Sequence, residues 1–265
     1  MGDFMNIVVC IKQVPDTTEI RLDPIKGTLI RDGVPSIINP DDKAGLEEAL
    51  KLKDLFGANI TAITMGPPQA EQVLKEAFAM GVDKGILLTD RKFAGADSLA
   101  TSNALAGALK KLDFDIVITG RQAIDGDTAQ VGPQLAEHLG LPQMSYVKEI
   151  NIVGENLVRV KRGVEDGYQV LEAETPCVLT ILSEANNPRY MSVSKIISAV
   201  RDKKIEVWDT SMIDIDLEVL GLSGSPTKVK KSFTKGAKSA GKIHEVIPQE
   251  AVTIIIDKLK ENFII

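Results

Sequence analysis

The order of apolar and polar positions predicts an alternating α/β chain. Residues 6–12 (NIVVCIK) form a near-continuous apolar run of strand length, as expected of a strand covered on both faces. Residues 19–31 hold two short alternating runs around Lys26-Gly27, which predicts a hairpin. Asn39-Pro40-Asp41-Asp42 then opens a helix. Asparagine suits the N-cap, proline suits the first helical position, and the two acids face the positive end of the helix dipole. Leu46, Ala49, Leu50 and Phe56 recur at helical spacing until Gly57 ends the run.

The alternation continues. Strands are predicted at 59–65, 84–89 and 114–119, and helices at 70–80, 97–112 and 128–139, the last closed by Gly140 and Pro142. Strand and helix in turn are the signature of a parallel sheet with helices on its faces. Right-handed crossovers bring the strand C-termini to one edge. After Pro142 the pattern changes. Residues 144–153, 157–162, 168–173 and 178–182 read as strands with tight turns at Gly154-Glu155-Asn156 and Glu165-Asp166-Gly167, an antiparallel addition. Residues 193–200 form a short helix. From 209 to 244 periodicity is lost in a stretch rich in Gly, Ser and Lys, read as an extended arm. Residues 248–263 regain helical spacing through Val252, Ile255, Ile256, Leu259 and Phe263. The expected division is an α/β domain over 1–208 and an arm with a terminal helix over 209–265.

Composition narrows the classes. The chain has 265 residues, 44% apolar and 26% charged, enough to bury a core without disulfides. A formal net charge of −6 argues against nucleic-acid binding as the main role. Cys10 and Cys177 stand far apart and match no zinc or redox spacing, so they read as core thiols in a reducing compartment. His138 and His244 are the only histidines, which leaves little material for a catalytic triad or a metal site. No apolar run reaches membrane-spanning length and no signal pattern opens the chain, so a cytoplasmic protein without membrane insertion is expected. Met5, directly before the first strand, is an alternative start to Met1.

Ligands of open α/β sheets collect beyond the strand C-termini. Four segments leave such ends: 10–14, 65–67, Asp90 and 119–132. The last, TGRQAIDGDTAQVG, is the most informative. A strand ends at Thr119, a loop with Gly120 and Gly126 follows, and a helix is predicted from Thr128. Glycines permit close backbone approach, a helix start offers N–H groups to phosphate, and Arg121 and Thr128 add a cation and a hydroxyl. On the residues alone the loop stands open between that role and a plain N-cap at Asp127 or Thr128. No GxGxxG follows the first strand. GAKSAGK at 236–242 has P-loop spacing but carries Ile243 where Ser or Thr is required, and no strand precedes it. It reads as a solvated basic arm.

The stretch from Thr119 to Gly126 and Asp127, continued through Thr128, Gln130, Gly132 and Pro133, closely resembles the signature loop of electron-transferring flavoprotein beta subunits. So do VVCIKQVPD at the start, Asn39-Pro40-Asp41, Met65-Gly66-Pro67 and Asn187-Pro188-Arg189-Tyr190. The blocks stand in family order over about the first 200 residues.

The resemblance implies an adenine nucleotide hydrolase-like, Rossmann-like fold: a three-layer parallel-sheet nucleotide-binding domain with antiparallel additions and a C-terminal arm. It implies an alpha subunit as partner, embraced by the arm. It implies a second adenine nucleotide in this chain, AMP in simple electron carriers and FAD in electron-bifurcating members. By the same resemblance Cys10, Asn39, Asp41, Met65 and Gly66 line the nucleotide pocket. Thr119, Gly120, Arg121, Gln122, Asp125, Gly126, Asp127, Thr128, Gln130, Val131 and Gly132 wrap phosphates and ribose. Arg189, Tyr190, Met191, Val193, Ile196 and Ile197 form a segment that docks on an FAD-dependent dehydrogenase of acyl-CoA, enoyl-CoA or 2-hydroxy-acid type, with Val193 where simple members carry leucine. Asp41, Asp42 and the RYMS form resemble the anaerobic, bifurcating type, which takes electrons from NADH and passes them to ferredoxin or flavodoxin and to the dehydrogenase. No catalytic side chain and no metal is expected, because the flavin carries the chemistry. Two other classes compete. An ATP-pyrophosphatase-like hydrolase calls for an SGGxDS-like loop where Gln13-Val14-Pro15-Asp16 stands. A stress-type nucleotide-binding module predicts a colourless homodimer.

Overall fold

The computed structural model describes residues 5–16, 35–230 and 241–265. The hairpin expected at 19–31 lies outside the described residues, as does most of the stretch 236–242.

One sheet of nine strands organises the main unit. In chain order its strands are β1 (Asn6–Cys10), β4 (Asn59–Met65), β5 (Lys84–Leu88), β6 (Ile116–Gly120), β7 (Gln143–Gly154), β8 (Leu157–Val164), β9 (Gly167–Glu174), β10 (Cys177–Ile181) and β11 (Ile205–Trp208). A separate antiparallel pair, β2 (Gln13–Pro15) with β3 (Ser36–Ile38), stands beside it. The spatial order is β11-β5-β4-β1-β6-β10-β7-β8-β9. The seven strands from β11 to β7 run parallel, and β8 and β9 continue antiparallel. The chain enters at β1, builds outward through β4 and β5, then crosses to the other side of β1 with β6. The topological switch point is therefore between β1 and β6.

The helices are α1 (Pro40–Phe56), α2 (Glu71–Met80), α3 (Ser98–Leu109), α4 (Val131–Leu139), α5 (Val193–Arg201) and α6 (Pro248–Glu261). Alternate sheet residues point to opposite faces and divide the core in two. Ile7, Val9, Ile60, Ile118 and Leu179 pack with Leu46 and Leu50 of α1 and Leu74 and Phe78 of α2. Val8, Ile63, Ile86, Val117 and Val178 pack with Leu105 and Leu109 of α3 and Leu135 of α4. That is the expected three-layer arrangement. Each fully buried Leu or Ile contributes about 1.5–3 kcal/mol, so these paired faces supply most of the driving force.

Two expectations need correction, and one strand was missed. The strand at 178–182 is not part of the antiparallel addition. As β10 it runs parallel between β6 and β7, because CVLTI is buried throughout and needs cover on both faces. β11 was not anticipated, since IEVW is too short to show a period. Residues 209–225, read as the start of an arm, lie on the core. Ile213 and Leu220 are buried against the α3 side, Thr210 donates to Asp90 at 2.6 Å, and Asp97 N–H donates to Ser225 Oγ at 2.8 Å. The main compact unit runs to Lys230, and α6 belongs to the second one.

The N-terminus of α1 ties the sheet edge together. Asn39 does not cap the helix with its side chain. Asp42 Oδ2 accepts the N–H of Lys12, just after β1, at 2.8 Å, and its Oδ1 accepts the N–H of Gly120, at the end of β6, at 3.0 Å. Asp41 Oδ1 accepts the N–H of Ser183, just after β10, at 3.0 Å. Two side chains thus hold the ends of three neighbouring strands. Burial pushes the Asp42 carboxyl up to about 7, against the lowering effect of its hydrogen bonds. Burial and the Asp42 charge push the Cys10 thiol up to about 12, so it stays protonated and inert. Gly120 has to be glycine: a Cβ there would sit 2.3 Å from Asp42 Oδ1.

Two outcomes follow for stability. Gly120→Ala should destabilise the fold by about 1–3 kcal/mol through overpacking, and a chemical denaturation midpoint equal to wild type would contradict the clamp. For Asp42 the folded pKa lies above the unfolded one of about 3.9. As pH rises from 4 to 7 the unfolded state releases the proton first, so stability is lost across that window and is level above it. Asp42→Asn removes this slope. Its melting temperature should gain on wild type between pH 4.5 and 7 and then keep a constant difference. Parallel melting profiles across that range would refute the shift.

Candidate functional site

The edge formed by the C-terminal ends of β4, β1 and β6 brings together Met65, Cys10 and the segment 119–132, as the topology demands. Thr119 and Gly120 are buried at the end of β6, and the chain then runs outward through an exposed loop. Three ties hold its first half. Arg121 N–H donates to Ile181 O at 2.8 Å. Asn39, with no exposed surface, spends its side chain on the loop: Nδ2 donates to Gln122 O at 2.7 Å and Oδ1 accepts Ile124 N–H at 3.0 Å. Lys12 Nζ reaches Asp125 Oδ1 at 2.6 Å. A turn closes as Asp127 N–H donates to Ala123 O at 2.9 Å.

The second half is differently shaped. The helix expected from Thr128 begins at Val131, and no side chain caps it. The residues in between are held in unusual backbone geometry. Asp127 and Ala129 both have left-handed backbones, with φ of 50° and 52°. Non-glycine residues there are strained and cluster at binding sites. Helical propensity at 128–130 therefore yields to a loop that precedes an uncapped helix start. Gln130 accepts from Ser98 Oγ of α3 at 2.5 Å. Gly132 packs so closely that a Cβ would meet Thr119 Oγ1 and Thr180 Cγ2, each at 2.7 Å. Gly126, in contrast, faces open space; its lack of a side chain is not required by the fold.

The charges are mixed. Asp41, Asp42, Asp125 and Asp127 stand near Lys12 and Arg121. Asp42 is partly neutralised near pH 7 by its raised pKa, and Asp125 is paired with Lys12. Arg121 Nε lies 3.3 Å from Asp41 Oδ2. Neither buried atom has a hydrogen-bond partner among the described residues, so the two are close but misaligned. An exposed loop with strained residues, an uncapped helix start and a guanidinium with an unspent donor fits a phosphate-bearing ligand. Among the described residues no group of three His, Cys, Asp or Glu side chains is placed to hold a metal.

Most predicted pocket residues converge on this edge, but their parts differ. Asn39 and Asp41 are buried and hold the loop and strand ends. Asp42 and Lys12 share that work and were not among the predicted site residues. Their signal was positional only: Lys12 ends the first strand run and Asp42 follows Asp41 in the first helical turn. Gly66 donates its N–H to Leu88 O at 3.1 Å, and a Cβ there would lie 3.0 Å from Ala70 Cβ.

A second feature lies along the same helix. Asn186 Nδ2 donates to Ala44 O and Glu48 Oε1 at 3.0 and 2.8 Å. The Arg189 guanidinium forks onto Glu47 at 2.9 and 3.0 Å and reaches Asp54 at 2.8 Å. Glu47 and then Asp54 hold the Arg189 proton and raise its pKa. Arg189, expected among docking residues, is thus committed inside the chain as an anchor. Beyond it Tyr190 is 99% exposed and Val193 74%, with Met191, Ile196, Ile197 and Val200 exposed as well. Ser192 caps α5, accepting Lys195 N–H, and only Ala199 of that helix is buried. Tyr190, Met191, Val193, Ile196, Ile197 and Val200 form an exposed apolar row, and no helix of the described residues is long and apolar enough to cross a membrane.

Comparison with known proteins agrees with this geometry. Residues 26–212 match the family described as the electron transfer flavoprotein domain. The chain is 59% identical to an electron transfer flavoprotein subunit beta of Clostridium acetobutylicum, over 97% of this chain and 99% of that protein. It is 49% identical to the caffeyl-CoA reductase-Etf complex subunit CarD of Acetobacterium woodii, over 98% of this chain and 100% of that one. It is 46% identical to the acryloyl-CoA reductase electron transfer subunit gamma of Anaerotignum propionicum, with the same coverage. With its parallel sheet, its switch-point loop and these matches, the chain belongs to the electron transfer flavoprotein family, among its beta subunits.

Proposed function

We propose that this chain holds an adenine nucleotide at the loop 119–132 and works with an alpha subunit to carry electrons between a donor and a dehydrogenase. The observation that carries the reading is the loop itself. It is pinned at the switch point by Asn39 and Lys12, strained at Asp127 and Ala129, and leads into an uncapped α4. Arg121 supplies a cation to the phosphates, and the N–H groups before and at the start of α4 supply donors. Cys10 and Met65 give an apolar floor beside β1 and β4.

The nucleotide we infer is FAD, the electron donor NADH, and the acceptors ferredoxin or flavodoxin and an FAD-dependent dehydrogenase. Similarity to subunits named for caffeyl-CoA and acryloyl-CoA reductase complexes supports this form over a simple carrier holding AMP. When bound, the flavin supplies the redox chemistry. This chain's side chains bind it, orient it and set the local charge. The exposed row from Tyr190 to Val200 suits the dehydrogenase, and the segment with α6, which carries exposed Val252 and Ile255, suits the alpha subunit.

Gly126→Val tests the loop cleanly, because a Cβ at this position has no neighbour within 4 Å in the fold itself. Flavin released by denaturation should fall from two to about one per heterodimer while circular dichroism is unchanged; undiminished flavin would sink the assignment. Thr128→Ala should cost roughly 1 kcal/mol of nucleotide affinity. A wild-type heterodimer with one FAD and one AMP would keep the family and remove bifurcation.

Changing Met191 and Val193 together to Asp should slow electron delivery to the dehydrogenase, since charge on a docking row must be desolvated. Flavin content should stay at the wild-type level, as both side chains already face solvent. Loss of flavin instead would assign the segment to the nucleotide domain's stability.

A further inference from the structure

We propose that Asp41 is a positioning residue that aims Arg121 at the phosphate of the bound nucleotide. The inference rests on the reading of 119–132 as a nucleotide cradle and assigns within it a division of labour. Asp41 is buried and immobile, because its Oδ1 accepts the Ser183 N–H at 3.0 Å. Its Oδ2 lies 3.3 Å from Arg121 Nε, yet neither atom makes a hydrogen bond among the described residues. Burying an opposed pair in that state is unfavourable unless something completes it. Arg121 is fixed at its backbone by Ile181 O, and its side chain is about one-third exposed. A guanidinium has an Nε edge and a fork of two terminal nitrogens. With Asp41 beside the Nε edge, the fork is left to meet an anion arriving over the loop. The carboxylate, the guanidinium and the phosphate then stand in series, and closure on the anion aligns the Nε–H with Oδ2.

A purely structural Asp41 would support the fold and so affect every ligand alike. An aiming Asp41 affects only ligands that carry a phosphate. The probes are therefore AMP and adenosine, measured by equilibrium dialysis on the full-length chain. Asp41→Asn should weaken AMP binding roughly tenfold, about the effect of one charge-assisted contact, and leave adenosine binding unchanged. Arg121→Lys should lose a similar factor for AMP alone, because lysine keeps the charge but has no fork and no Nε edge. In an Arg121→Gln background, Asp41→Asn should have no further effect on AMP.

Arg121→Lys leaves the Ser183 contact intact and carries the test if Asp41→Asn does not fold. AMP bound by Arg121→Lys as tightly as by wild type would overturn the inference. So would an equal loss of AMP and adenosine in Asp41→Asn, or additive losses in the double variant. Those results would leave the cradle standing. A wild-type chain that binds adenosine and AMP equally, or binds neither, would overturn the cradle and this inference together.

Discussion

The first turn of α1 is the constraint on which the rest depends. Parallel strands end with backbone groups that no neighbouring strand satisfies, and at the switch point the chain diverges on both sides. Asp41 and Asp42 fill that gap by accepting N–H groups from the ends of β1, β6 and β10. Taking two carboxylates out of water is costly. The cost is offset by the hydrogen bonds, by the positive end of the helix dipole and, at Asp42, by a pKa raised to about 7. The same close approach explains Gly120, where a side chain would collide with the carboxylate that receives its N–H.

From that anchor the two surfaces proposed as functional extend along one rigid element. At its N-terminus Asn39 grips the loop proposed to hold the nucleotide, at Gln122 and Ile124. Toward its C-terminus Glu47, Glu48 and Asp54 grip Asn186 and Arg189, which lead into the exposed row from Tyr190 onward. A 17-residue helix packed along the sheet changes length little, so the separation of the two surfaces is set by packing rather than by loop motion. Electron transfer between bound groups depends on such fixed spacing. At the proposed phosphate position Lys12 offsets Asp125 and Arg121 offsets Asp41, which lessens the repulsion an acidic chain would exert.

Elements with a long period or full burial were legible from the chain. Residues 59–65 form β4 with the bounds expected, the helix at 40–56 begins where Pro40 signals it, and the helix expected over 193–200 runs from 193 to 201. Failures follow from missing context. The four residues of β11 carry no period, and it forms only because β5 offers an open edge. β10 reads like its antiparallel neighbours until its burial on both faces shows that it lies inside the parallel sheet. Thr128 is a sound local N-cap, but the loop holds Asp127 and Ala129 in left-handed backbone and the helix waits until Val131.

The sequence by itself determined an α/β class with a helix-covered parallel sheet, a strand end within one residue of Gly120 and part of the residue set beside it, because hydrophobic period and turn chemistry are local properties. It also carried the family, through motifs whose order spans most of the chain. Only the tertiary structure decided which member of that set does what. Asn39 and Asp41 look like pocket lining in one dimension, yet their partners lie roughly 80 and 140 residues away. Gly120 and Gly126 look alike as letters, but one is pressed against a buried carboxylate and the other faces open space. Such distinctions depend on contacts between strand ends that are neighbours in space and distant along the chain.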